Sequence, residues 1–121
     1  LSALQKEMVL QLRNIQFDHN SSVLTPSSYA ELDKLVKLMQ DNPSMQIELS
    51  AHTDDVGSEQ YNMRLSQQRG ESVRKYLIRK GVDAKRIIAK GYGKNKPLVP
   101  NDSDENRAIN RRVEFTINEI E

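Results

Sequence analysis

The stretch that decides the fold is AHTDDVGSEQYNMRLSQQR, residues 51–69, in which a strand pattern gives way to a turn and then to a helix. Ile47, Leu49 and Ala51 alternate with polar residues, which is the period-two pattern of a strand with one buried face. We expect this strand to end near His52. A functional site is predicted there, because open α/β sheets commonly bind ligands at the carboxyl ends of their strands.

The segment between this strand and the helix is rich in residues that favour turns, namely Asp54, Asp55 and Gly57. Ser58 is predicted to be the N-cap of the helix, because its hydroxyl can accept a hydrogen bond from an amide of the first turn. Glu59 is favourable at the next position, since the positive end of the helix dipole stabilises a carboxylate. We therefore expect the helix to begin near Glu59.

One stripe of this helix, at about 100° per residue, combines apolar and polar side chains. Its members are Asn62, Leu65, Arg69, Val73 and Tyr76. Asn62 and Arg69 lie in the half of the helix nearest the strand end, where they could meet the carboxylates of Asp54 and Asp55. This convergence predicts a ligand site of opposite charges. The alternative is that the arginine and an aspartate form an ion pair with a purely structural role.

The composition is that of one small polar domain. A chain of 121 residues can bury a single hydrophobic core, so residues 1–121 are expected to form one domain. The hydrophobic content is 36%, the mean hydropathy is -0.71, and no run of about 18 apolar residues predicts a membrane span. Cysteine is absent, which excludes disulfides and thiolate chemistry. The chain begins at Leu1 without a Met or a leader, so we expect it to be part of a longer protein.

The net charge of +1 hides a strong asymmetry along the chain. Residues 64–112 contain 14 Lys or Arg and 5 Asp or Glu, whereas the remainder contains 4 and 12. A basic half favours an anionic partner. The alternative is that most of these cations form the solvated face of the helix.

Other elements can be placed on either side of the central stretch. Residues 1–12 form a lead-in helix or linker, and residues 14–18 predict a short strand that delivers Asp18 into a loop. A helix is predicted from Thr25 as N-cap and Pro26 as its first residue until Asn42 and Pro43. Its apolar residues at helical spacing are Tyr29, Leu32, Leu35, Val36 and Met39.

The second half of the chain adds two strands to the predicted sheet. Gly81 is expected just past the end of the central helix, where a left-handed backbone is needed. Residues 87–92 predict a third strand, residues 94–110 a long loop that is helical around 103–108, and residues 112–117 a final strand. The expected fold is α+β, a βαβαββ two-layer sandwich whose mixed sheet carries two long helices on one face.

Several kinds of chemistry are not supported by the sequence. Asp102 begins a pattern that resembles a calcium-binding loop, but Arg107 and Val113 occupy positions that require Gly and Glu. His19 and His52 lack metal-binding spacing. No catalytic constellation, phosphate-binding glycine loop or nucleic-acid-binding motif is recognisable. No metal, cofactor, enzymatic activity or nucleic-acid partner is therefore predicted.

Five motifs in order extend over nearly the whole chain. They are FD at 17–18, HTDDVG at 52–57, YNMRLSQQRGESVRKYL at 61–77, KGYGKNKPLVPN at 90–101 and NRAINRRVEF at 106–115. Together they resemble the OmpA-like (OmpA/MotB/Pal) peptidoglycan-binding domain over residues 14–117. Ala51 and Asn106 stand where that family usually has Gly, and Gly70 where it usually has Ala, but none of these departures removes a charged side chain.

The resemblance implies a periplasmic, non-enzymatic domain that forms the C-terminal part of a longer envelope protein and anchors that protein to the cell wall. It implies that Asp54 binds the ammonium group of diaminopimelate in the peptidoglycan stem peptide and that Arg69 binds its carboxylate. Further pocket positions implied by the family are Asp18, Thr53, Asn62 and Leu65, with Arg112 close by. A domain that binds other envelope proteins and a hydrolase acting on the wall are the alternatives.

Overall fold

The computed structural model describes residues 15–17 and 21–119 of the chain. Its strands are β1 (Ile15–Gln16), β2 (Gln46–Ala51), β3 (Ile87–Gly91) and β4 (Arg112–Glu119). Its helices are α1 (Pro26–Asp41), α2 (Glu59–Arg79) and α3 (Asp104–Asn110), with a 3-10 turn at Ala84–Arg86 before β3. The predictions for residues 1–12 and for Asp18 lie outside the described residues. Among the described helices, none combines the length and apolar character that crossing a bilayer requires.

The four strands form one mixed sheet in the order β1-β4-β2-β3. β2 and β3 are parallel and are connected through α2, whereas β4 is antiparallel to both β2 and β1. Leu49 in the middle of β2 is opposite Ala89 on one side and Phe115 on the other. The α+β class and the mixed sheet predicted from the sequence are confirmed, and α3 is the helical part of the predicted loop.

One face of the sheet is buried under the two long helices. Ile47, Leu49 and Ala51 of β2 are at most 1% exposed, and the polar residues between them lie on the other face. From α1 and α2 the core receives Leu32, Leu35, Leu38, Met39, Val73 and Leu77. Tyr29, which the spacing placed in the apolar stripe of α1, is instead 40% exposed and stacks on Tyr76 of α2.

One glycine ends α2 and another allows its close packing against β3. Gly81 has φ +102° directly after the helix, as predicted for the residue that ends it. Gly91 at the end of β3 lies against the helix backbone, where a Cβ atom would be 2.5 Å from the amide nitrogen of Gln67. The Gln67 side chain in turn accepts a hydrogen bond from the Gly91 amide at 2.9 Å. β3 and α2 are therefore in backbone contact beside the end of β2.

Candidate ligand-binding site

The loop after β2 is fixed by main-chain hydrogen bonds from two neighbouring segments. The amide of His52 donates to the carbonyl of Arg112 at 2.8 Å, and the amide of Thr53 donates to the carbonyl of Gly93 at 3.0 Å. The Thr53 hydroxyl donates to the carbonyl of Asp54 at 2.9 Å. His52, Thr53 and Asp54 are all buried. The first three residues of the loop are thus fixed in the core, whereas residues 55–58 are exposed, and a fixed start of the loop favours a preorganised site.

Asp54 is a buried carboxylate with two described hydrogen bonds. It is 3% exposed, and its Oδ1 accepts from the amide of Val56 at 3.0 Å, which closes the turn. Its Oδ2 accepts from Nη1 of Arg111 at 2.9 Å. Nε of Arg111 also donates to the carbonyl of Phe17 at 3.3 Å, so this arginine connects Asp54 to the end of β1.

Asn62 attaches the turn to the first part of α2. Its side chain is 1% exposed, and its Nδ2 donates to the carbonyl of Val56 at 3.0 Å. The N-cap bond predicted for Ser58 is present, since its hydroxyl accepts from the amide of Tyr61 at 3.1 Å. The start of α2 is therefore held against the Asp54 turn by a cap on one side and a buried amide on the other.

Arg69 is fully buried and joins three segments of the chain. Its Nε donates to the carbonyl of Ser21 at 2.8 Å, and its Nη1 donates to the carbonyl of His52 at 3.3 Å. Its guanidinium carbon lies 5.3 Å from the ring centre of Phe17, in cation–π range. Burial lowers the pKa of Arg69 to about 10, although the negative charge of Asp54 acts in the opposite direction and raises it. Arg69 therefore remains a cation at neutral pH.

A surface cavity adjoins this charged cluster on the outer side of α2. It has a volume of about 360 Å³ and is lined by Ser22, Tyr61, Arg64, Leu65 and Gln68. Leu65, one of the predicted pocket residues, is 7% exposed and forms its apolar wall. The volume lies within the range of small-molecule sites. A ligand in this cavity would be one helical turn from Arg69.

Two of the predicted site residues lie apart from this cluster. Asp55, expected to converge with Asp54, is exposed and pairs with Arg107 at 3.1 Å. Arg112 is 5% exposed, and its side chain donates to Glu114 at 2.9 Å and to the carbonyl of Lys96 at 3.1 Å. The arginine that contacts Asp54 is the neighbouring Arg111.

Sequence reasoning overlooked Arg111, although a signal for it was present. Arg111 directly precedes β4, and consecutive residues of an extended chain point to opposite sides, so only one of Arg111 and Arg112 can share the side of Val113 and Phe115. Because Val113 and Phe115 mark the buried face, the alternation favours Arg111 for that side. It does not show that Arg111 reaches a loop 57 residues earlier in the sequence.

His52 contributes its backbone to the site and its side chain to the packing behind it. The imidazole is 2% exposed and stacks on Tyr92, with 5.5 Å between the ring centres. Within the described residues neither ring nitrogen has a hydrogen-bond partner. Burial, and then the charge of Arg112, lowers the pKa of His52 to about 4, against an opposing effect of Glu114. The imidazole is therefore neutral at pH 7.

The described part of the chain offers no group of three or more His, Asp or Glu side chains arranged to hold a metal ion. What the site contains is a buried carboxylate and two guanidiniums at the end of a parallel strand, next to an open cavity. Such a set of groups can bind a ligand that carries both a carboxylate and an ammonium group. The fold defines a small α+β domain with a candidate ligand-binding site.

Comparison with known proteins identifies the family. The model of the OmpA family matches residues 16–111, so the chain belongs to the OmpA family. Outer membrane porin F of Pseudomonas fluorescens is 38% identical over 104 residues, which cover 86% of this chain and 32% of that protein. Peptidoglycan-binding protein ArfA of Mycobacterium tuberculosis is 35% identical over 104 residues, again 86% of this chain and 32% of that protein.

A solved structure has the same fold. The peptidoglycan-associated lipoprotein from Burkholderia pseudomallei superposes with a TM-score of 0.84 at 29% identity, covering 88% of this chain and 90% of that chain. By contrast, the chain spans about a third of the length of the two curated relatives named above. The similarity to those relatives therefore concerns one domain of longer proteins.

Proposed function

We propose that this chain binds peptidoglycan and thereby anchors a larger outer-membrane or periplasmic protein to the cell wall. The observation that carries the proposal is the buried cluster of Asp54, Arg69 and Arg111 beside an open cavity at the end of β2. Membership of the OmpA family supports it, as do two relatives whose names state peptidoglycan binding or association. The domain acts by binding, in the periplasm, without catalysing a reaction.

The group recognised is the diaminopimelate of the stem peptide, whose free end carries an ammonium and a carboxylate. Asp54 binds the ammonium group, and Arg69 binds the carboxylate. A guanidinium suits this role because its planar donors can form two parallel bonds with a carboxylate. Burial strengthens both contacts, since water does not screen charges in a desolvated site.

The remaining proposed residues shape the pocket around these two charges. Thr53 and Asn62 hold the Asp54 turn through their hydrogen bonds to main-chain carbonyls, and Leu65 forms the apolar wall. Arg112 acts from behind the loop, where its side chain holds the carbonyl of Lys96. Asp18, outside the described residues, completes the proposed set.

The proposal is tested by co-sedimentation of the protein with sacculi that contain diaminopimelate. Asp54→Asn removes a charge with little change of size, and Arg69→Gln removes the buried guanidinium. Each is expected to weaken binding at least about tenfold, because charged hydrogen bonds in a buried site contribute about 1.5–3 kcal/mol. The matched control is Asp55→Asn, which removes the same charge from an exposed ion pair and should leave binding unchanged. Circular dichroism verifies that each variant is folded.

Two results of this experiment would contradict peptidoglycan binding at this site. If the wild-type protein stays in the supernatant, or if folded Asp54→Asn and Arg69→Gln variants sediment like the wild type, the site does not bind peptidoglycan. The search would then turn to a protein partner in the envelope. Release of soluble wall fragments by the wild type would instead indicate a hydrolase.

A further inference from the structure

A row of shallow cavities continues from the candidate site along the outer side of α2. The cavity beside Leu65 is followed by one of about 330 Å³ that shares Ser22, Arg64 and Gln68 with it and extends to Lys75. A third, of about 300 Å³, lies at the end of the helix. Its lining residues are Tyr29, Tyr76, Arg79 and Lys80.

The cationic side chains of these cavities share one stripe of the helix. At 100° per residue, Arg64, Lys75 and Arg79 lie within about 60° of one another, and 15 residues of helix span about 22 Å. Lys80 joins them at the far end. We call these four residues the cationic stripe. It begins beside the Asp54 and Arg69 cluster and runs away from it, so the candidate site and the stripe form one continuous surface.

The stripe carries an excess of positive charge. Within the described residues, none of its four cations forms an ion pair. One carboxylate, Glu71, lines the second cavity between Arg64 and Lys75 and accepts a hydrogen bond from Gln67, so four cations face one anion along the stripe. Asp33 accepts from the Tyr76 hydroxyl at 2.6 Å near its far end. Unpaired cations in a row along an open groove are arranged for a ligand with several anionic groups.

The far end of the stripe is built from two stacked aromatic rings. Tyr29 and Tyr76 are 5.2 Å apart with an interplanar angle of 9°, and Tyr29 keeps 40% of its surface exposed. The guanidinium of Arg79 and the ammonium of Lys80 lie 5.9 Å and 5.5 Å from the Tyr76 ring centre. These cation–π contacts hold both charges beside the third cavity, which reduces the entropy they lose when they bind a ligand.

We propose that the cationic stripe binds further carboxylate groups of the same peptidoglycan polymer whose diaminopimelate occupies the Asp54 and Arg69 site. The inference rests on the proposed function and extends it from one amino acid to a stretch of polymer. Stem peptides repeat along the wall and carry several carboxylates each. A second contact on the same polymer is intramolecular once the first has formed, so weak contacts add substantially to the total affinity.

The test compares a polymeric and a single-repeat ligand. The stripe variant is Lys75→Gln/Arg79→Gln, whose two residues lie outside the cavity beside Leu65. The matched control is Lys37→Gln/Lys85→Gln, which removes two exposed cations that line none of these cavities. Binding to sacculi is measured by co-sedimentation between about 50 mM and 300 mM salt. Binding to a soluble muropeptide with one diaminopimelate stem is measured by calorimetry.

The stripe variant is expected to bind sacculi about fivefold more weakly than the control at low salt, because the loss of two exposed charge contacts weakens binding by about this factor. Its affinity should also depend less on salt. Both variants should bind the single-repeat muropeptide like the wild type, because the Asp54 and Arg69 site is intact. Sacculus binding by the stripe variant that equals that of the control at every salt concentration would overturn the proposal while leaving the proposed function standing.

A different pattern identifies failure of the proposed function itself. If neither sacculi nor the muropeptide binds the wild type, both the function and the extension are wrong. Duplex DNA serves as a polyanion of another class. Wild-type binding to DNA as tight as to sacculi, with the same loss in the stripe variant, would show a surface for polyanions in general and overturn the wall polymer as its occupant.

Discussion

Replacing His52 by Phe should remove a defined part of the pH dependence of folding stability. The imidazole is 2% exposed and its pKa is lowered from 6.5 to about 4, chiefly by burial. Between these two values the unfolded chain binds a proton that the folded protein does not. The free energy of unfolding is therefore highest above pH 6.5 and decreases as the pH falls toward 4. At pH 5 the loss attributable to His52 is about 2 kcal/mol.

The assay is urea denaturation of three proteins at pH 7.5 and pH 5. Phe keeps an aromatic ring against Tyr92 but cannot be protonated, so His52→Phe should lose about 2 kcal/mol less stability than the wild type over this interval. His19→Gln, which removes the other histidine, shows how much of the loss is specific to His52.

Equal losses in the wild type and in His52→Phe would refute the reasoning, because they would mean that burial does not suppress protonation of the imidazole. An NMR titration gives an independent check. A midpoint for His52 near 6.5 in the folded protein would contradict its lowered pKa, whatever the denaturation shows.

Two substitutions test the packing around the site. Arg111→Gln removes a bond to a buried carboxylate and should cost about 2 kcal/mol of unfolding free energy, measured by urea denaturation. It should also weaken sacculus binding more than Arg112→Gln, and the opposite order would show that the contact with Asp54 is irrelevant to binding. Gly91→Ala places a Cβ 2.5 Å from the amide nitrogen of Gln67 and should lower the free energy of unfolding by about 1–3 kcal/mol, which is measured as a lower Tm. An unchanged Tm would show that α2 can move away from β3.

Local chemistry made the centre of the fold predictable from the sequence. The strand ending at Ala51, the Ser58 cap and the glycine after α2 each follow from rules that act within a few residues. The buried face of α2 was also predictable, because the helical period of 3.6 residues places Asn62 and Arg69 on the same side as Leu65 and Val73.

The pairing of charges was not predictable in the same way. Asp54 and Asp55 are adjacent, yet one is buried against Arg111 and the other is exposed against Arg107. These contacts join segments 57 and 52 residues apart, so they depend on how β4 and α3 pack rather than on local sequence. The sequence pattern identifies the charged residues that are candidates for the site. The register of the sheet then decides which of two neighbouring residues is buried there.

The burial of Arg69 predicts that binding and folding are coupled in this domain. Its guanidinium is bonded to the carbonyls of Ser21 and His52 and lies over Phe17, so the cation proposed to bind the ligand also holds three segments together. Removing it takes these donors away from the two carbonyls, and a buried polar group that loses its partner costs about 1–3 kcal/mol. A loss of sacculus binding in Arg69→Gln therefore has two causes. Asp54→Asn and Arg111→Gln together separate the two causes, because both variants lose the ion pair between Asp54 and Arg111. Only Asp54→Asn also removes the charge that the proposed ligand's ammonium group requires, while its amide keeps the bond to Val56.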